Sequence, residues 1–130
     1  MARALLVVGG IMNLAFALFH LALFRGIQAA SGLAPAAKGL MLAFNVAGTL
    51  FIAFFALSSL LLRDELLNTR LGKATLALTA TIYLSRASEE FFLFRFTPLI
   101  FAACAVVGVL YAAVLVMAMA GGGAAAEPAG

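Results

Sequence analysis

Ionisable and strongly polar side chains interrupt what are otherwise long apolar stretches of this chain. Arg86, Glu89 and Glu90 lie close together in the third stretch, and His20 and Asn45 lie inside the first two. Such groups are costly inside a bilayer, so each needs a partner or a function. An arginine beside two carboxylates forms ion pairs, and a carboxylate left without a cation accepts a proton or a metal ion.

Helix geometry places these five residues at similar depth. Counted from the nearer end of its apolar run at about 1.5 Å per residue, His20 is about 6 Å deep, Asn45 about 9 Å, the two glutamates about 6–8 Å and Arg86 about 12 Å. We therefore predict that they converge as an intramembrane polar cluster. Further polar or small residues on the same inward faces are predicted as secondary members: Asn13, Tyr83 and Cys104.

The residue types leave two interpretations of this cluster open. In the first, Arg86 pairs with Glu90 at i, i+4 or with Glu89 at i, i+3, and the cluster is purely structural. In the second, one glutamate is under-compensated and takes up a proton or a cation, with His20 nearby to share it. One histidine with two carboxylates can also bind iron or zinc. Because the chain has a single histidine and no Glu-x-x-His pair, we predict neither a metal nor another cofactor.

Composition identifies the solvent that surrounds these stretches. Of 130 residues, 66% are hydrophobic and 10% are charged. In soluble domains roughly 45–50% of the residues are apolar and about 25% are charged. So few polar residues cannot cover a small soluble fold, and we therefore predict an integral membrane protein whose main partner is the lipid bilayer. The lysines and arginines are scattered singly, which argues against nucleic-acid binding. The single cysteine excludes an intrachain disulfide.

Four apolar runs are long enough to cross a hydrocarbon core, which takes about 20 helical residues. We predict an all-α membrane protein, a four-transmembrane-helix up-down-up-down bundle in one domain over residues 1–120, with a disordered tail at 121–130. The first run also has features of a signal peptide, but it is too long for one, so we expect it to be retained. The predicted helices span residues 4–24, 39–62, 74–94 and 98–120, joined by polar or Gly- and Pro-containing loops.

An even number of spans puts both termini on one side of the membrane. That side carries Arg3, Arg63, Arg70 and Lys73, so the positive-inside rule predicts a multi-pass cell-membrane protein with cytoplasmic termini. In length and helix number the chain is similar to small bacterial four-helix membrane proteins such as the DoxX-like group. This likeness assigns no role to any residue.

Three classes of function fit the sequence. The first, which we expect, is a non-catalytic accessory or structural bundle that works in a larger membrane complex. The second is a homo-oligomeric proton- or cation-coupled transporter or channel that uses Glu89 or Glu90. The third is a lipid- or quinone-binding membrane enzyme with His20, Arg86 and the glutamates in its pocket. A cavity that opens sideways into lipid and ends at His20 would favour the third.

Overall fold

The computed structural model of the protein describes residues 1–93 and 96–123, and these residues are almost entirely helical. The prediction of an all-α fold is confirmed over this part of the chain. The predicted tail overlaps the last helix at residues 121–123, and its remainder lies outside the described residues, as does the predicted end of the third helix at residue 94. The described residues form five helices: α1 Ala2–Ala29, α2 Pro35–Leu61, α3 Arg63–Asn68, α4 Arg70–Phe92 and α5 Pro98–Gly123.

The first connection is shorter than predicted because both flanking helices extend beyond their apolar runs. Helix α1 continues through Arg25 to Ala29, since an arginine near the membrane surface can extend its charged group toward water without ending the helix. Helix α2 begins with Pro35 at its first turn, where a proline is well tolerated. The Lys38 ammonium donates to the carbonyl of Gln28 at 2.9 Å and so caps the end of α1.

The prediction of a polar loop between the second and third long helices is wrong. Residues 63–68 form the short helix α3, and Thr69 begins α4 as its N-cap: its hydroxyl accepts from the Gly72 N–H at 2.9 Å and donates to the Glu65 carbonyl at 2.8 Å. A Cβ atom at Gly72 would overlap that same carbonyl oxygen. Only a glycine therefore allows α3 to pack on the first turn of α4.

The long helices pack as antiparallel neighbours. Helix α1 packs on α2 and α5, and α4 packs on α5, whereas α2 and α4 share no extended packing over the described residues. Glycines allow close approach: Gly9 faces Tyr111, and Gly108 faces Leu84. The buried core includes large side chains from all five helices, namely Leu6, Phe55, Leu66, Leu76, Val107, Tyr111 and Val114.

The outer surface is apolar. Large side chains such as Phe44, Leu50 and Val109 are more than half exposed, which a water-soluble fold of this size would not tolerate. Helices α1, α2 and α5 are long and apolar enough to cross a membrane, consistent with a multi-pass membrane protein. Within the described residues these are three helices, and the predicted fourth span is not confirmed, because α4 carries more charged and hydroxyl side chains than the other long helices.

Candidate functional site

A buried hydrogen-bond network joins the four long helices. The Asn13 amide of α1 donates to the Tyr111 hydroxyl of α5 at 2.7 Å and to the Gly9 carbonyl at 2.9 Å, and its carbonyl oxygen accepts from the Tyr83 hydroxyl of α4. The Ser59 hydroxyl of α2 lies 2.6 Å from the Tyr111 hydroxyl. Each side chain is at most 4% exposed. Since lipid offers no alternative partners, these bonds fix how the four helices associate.

A second polar group lies toward the end of α4. An Arg86 Nη atom is 2.7 Å from a carboxylate oxygen of Glu90, which is 1% exposed. The other Glu90 oxygen accepts from the backbone N–H of Thr97 at 3.0 Å, just before α5 begins. Glu89 lies 3.7 Å from Arg86 and is 39% exposed. Glu90 therefore connects the end of α4 to the start of α5, whereas Glu89 faces outward.

A cavity of about 420 Å³ lies between these two polar groups. Its walls are mostly aromatic and aliphatic and come from all four long helices. It lies where α2 and α4 do not pack on each other, and Phe51 and Ile82 on those two helices are 56% and 38% exposed. The cavity lining is therefore apolar and partly exposed on both of these helices. The polar or sulfur-containing side chains in the lining are His20, Tyr83, Arg86 and Cys104.

His20 reaches the cavity because Gly48 on α2 leaves room for its ring. A Cβ atom at Gly48 would lie 3.4 Å from the imidazole Cε1. Within the described part of the chain, His20 Nδ1 is buried without a hydrogen-bond partner, and so is Asn45 Oδ1. The Asn45 amide donates to the backbone carbonyl of His20 at 3.0 Å. Asn45 thus joins α2 to α1 beside His20 and contacts no carboxylate among the described residues.

The structure brings together only part of the predicted cluster. His20, Arg86, Tyr83 and Cys104 line one cavity, and Glu90 reaches it through Arg86, while Asn45 and Glu89 lie outside the lining. Asn13 is not part of the lining but accepts a hydrogen bond from Tyr83, which is. Two network members, Ser59 and Tyr111, are not among the predicted site residues. Asn13, Tyr83 and Tyr111 each lie nine residues from the same end of the predicted runs, and this common depth could have identified Tyr111. It could not have identified Ser59, which lies three residues from the end of its run.

The chemistry available in this cavity is hydrogen bonding and apolar contact. Over residues 1–93 and 96–123, no group of three His, Cys, Asp or Glu side chains is arranged to hold a metal ion. Arg86 and Glu90 are engaged with each other. What faces the cavity is therefore an apolar wall with an imidazole at one side.

Comparison with known proteins identifies no family for this chain. No protein-family model, no curated protein and no solved structure matches the chain. The likeness to small bacterial four-helix membrane proteins accordingly rests on length and predicted helix number alone.

Proposed function

We propose that this protein binds a lipid-soluble amphiphile, a lipid or a quinone, in the cavity between its long helices. The observation that carries the proposal is the cavity itself: about 420 Å³, lined by aromatic and aliphatic side chains, with a few polar groups on one wall. Ligand sites typically enclose about 300–1,000 Å³ and combine an apolar lining with a small number of orienting polar groups.

The exposed part of the cavity lining supports this choice of ligand. Phe51 on α2 and Ile82 on α4 line the cavity and are substantially exposed, and both are apolar. A ligand that is already dissolved in the hydrocarbon can enter between α2 and α4 without crossing water. A soluble, charged substrate would have to leave water before reaching the same opening, which is costly.

The same contacts weigh against transport through the glutamate pair. Both oxygens of Glu90 are engaged, one by Arg86 and one by the Thr97 N–H. A coupling carboxylate has to exchange its proton or cation, and these two bonds oppose that exchange. A non-catalytic accessory bundle in a larger membrane complex is the second candidate, favoured by the buried network of Asn13, Tyr83 and Tyr111, which serves helix association without any ligand.

We further propose that α4 is a fourth span and that both termini are cytoplasmic. Helix α4 has 23 residues, about 34 Å at 1.5 Å per residue, and packs along α5. Its polar side chains Thr79, Tyr83 and Glu90 are buried against the other helices. A helix whose polar groups are covered by its neighbours can cross a bilayer despite its composition.

Photolabelling tests the binding proposal. The protein is placed in lipid nanodiscs with 18-carbon amphiphiles whose tails carry a diazirine: a monoacylglycerol, a fatty acid and a primary amine. We expect saturable labelling of inward-facing residues such as Cys104 by at least one of them. Gly48→Leu fills the cavity beside His20 and should cut this labelling about tenfold, on the order of the cost of a lost apolar pocket.

Gly39→Leu is the matched control for this experiment. Gly39 lies on the same helix, and a Cβ atom there would have no other atom within 4 Å, so a leucine at this position leaves the cavity unchanged. Equal labelling in both variants, or no saturable labelling of the interior by any of the three amphiphiles, would exclude this function.

A further inference from the structure

The geometry points to an uncharged head group as the ligand of this cavity, bearing a hydroxyl or carbonyl oxygen that hydrogen-bonds to His20. The inference rests on the proposed function and specifies the class of amphiphile that the site selects. It follows from the charges that face the cavity and from the buried His20 Nδ1, which has no hydrogen-bond partner among the described residues.

An anionic head group is disfavoured because the positive charge at the cavity is already neutralised. Among the described lining residues only Arg86 carries a formal charge, and it lies 2.7 Å from Glu90 and 3.7 Å from Glu89. These three side chains together carry one positive and two negative charges. A carboxylate or phosphate entering the cavity would have to displace Glu90, which is buried and would then be left without its cation.

A cationic head group finds no carboxylate in the cavity. Glu90 is 1% exposed, with one oxygen on Arg86 and the other on the backbone N–H of Thr97. Glu89 is not part of the lining. A buried ammonium without a counter-ion is expensive, so neither sign of charge is accommodated.

His20 supplies the remaining polar contact. Its ring lines the cavity beside Gly48, and its buried Nδ1 has no hydrogen-bond partner within the described part of the protein. Buried polar atoms are nearly always paired in native proteins. A ligand hydroxyl can pair with Nδ1 in either tautomer, and a carbonyl oxygen can accept from Nδ1–H. The rest of the lining is apolar and suits the hydrocarbon part of the ligand.

The three amphiphiles of equal tail length test this directly on the unmodified protein. Competition of unlabelled monoacylglycerol, fatty acid and amine against the photoprobe gives three relative affinities. We expect the monoacylglycerol to bind at least about tenfold more tightly than either charged compound, because each charge is desolvated without a matched partner. A fatty acid or amine that binds as tightly as the monoacylglycerol would overturn the inference and leave the proposed function intact. Absence of binding by all three would overturn both.

Two substitutions separate the effect of charge at Arg86 from the effect of the hydrogen bond to His20. Glu90→Gln removes a negative charge, while its amide oxygen can still accept from Thr97, so the net charge of the three side chains rises from one negative to zero and an anion near Arg86 is repelled less. We expect the preference for monoacylglycerol over fatty acid to fall about tenfold in this variant, and an unchanged preference would contradict the charge argument. Glu65→Gln is the control, because Glu65 is exposed on α3 and outside the cavity.

His20→Leu tests the hydrogen bond to the ligand. It should weaken the binding of monoacylglycerol and leave the binding of the fatty acid unaffected. An equal loss of affinity for both compounds would overturn the role of His20.

Discussion

Tyr83 donates its hydroxyl hydrogen bond to the side-chain oxygen of Asn13, 70 positions away in sequence, and so joins helices α4 and α1. These two helices share no extended packing over the described residues. The same asparagine contacts Tyr111 on α5, which in turn meets Ser59 on α2. Asn13 and its partners therefore link all four long helices. The cavity lies directly beside this network, because Tyr83 belongs to both the network and the cavity lining.

Coupling between Asn13 and Tyr83 should be measurable by a double-mutant cycle. Asn13→Ala removes the acceptor and two donated bonds and should lower the free energy of unfolding by about 1–3 kcal/mol, and Tyr83→Phe, which loses one hydroxyl, by about 0.5–1.5 kcal/mol. The double variant should lose less than the sum, because both remove the same bond. Unfolding in mixed micelles, followed by circular dichroism, supplies the four values. Strict additivity would show that the two side chains do not interact.

Gly72 should be the least replaceable of the glycines whose surroundings the structure describes. A methyl group there would overlap the Glu65 carbonyl oxygen and lie 2.5 Å from the Leu66 Cα, and backbone atoms cannot move aside as a flexible side chain would. We expect Gly72→Ala to destabilise the protein by about 1–3 kcal/mol through separation of α3 from α4.

Gly39→Ala is the comparison for this measurement, since nothing lies within 4 Å of its Cβ position. Alanine favours a helix over glycine by up to about 1 kcal/mol, so this variant should melt no lower than the unmodified protein. If the two alanine variants melted together, α3 would not pack on α4 as described.

Much of the fold was predictable because it depends on one-dimensional signals. Apolar run length located the four long helices to within a few residues, and Pro98 marked the start of α5 correctly. Helix α3 was not predicted because it has only six residues. A segment that short contains too few helical turns for its hydrophobic period to be recognised. Its existence depends on a tertiary contact, the approach of the Glu65 carbonyl to Gly72, which no local pattern reports.

The candidate site was predictable only in part, for a similar reason. The Arg86–Glu90 contact follows from spacing along one helix. The contacts of Asn45 and Asn13 depend on the rotation of each helix about its axis and on which helices are neighbours. Depth counting places residues at a level of the membrane but not on a particular side of the bundle. The cavity itself lies where α2 and α4 share no extended packing among the described residues, and an empty space leaves no residue pattern of its own.

Cysteine labelling should establish how many times the chain crosses the membrane. In a background with the buried Cys104 replaced by alanine, single cysteines are introduced as Ser31→Cys, Asn68→Cys and Gly121→Cys, all at exposed positions. Four spans place residues 68 and 121 on one side and residue 31 on the other, because α4 and α5 each cross once. With cytoplasmic termini, a membrane-impermeant maleimide added to intact cells should label residue 31 alone, and residues 68 and 121 only after permeabilisation. If residue 121 were labelled together with residue 31, α4 would not cross the bilayer. If residues 68 and 121 alone were labelled in intact cells, the four spans would stand with the opposite orientation.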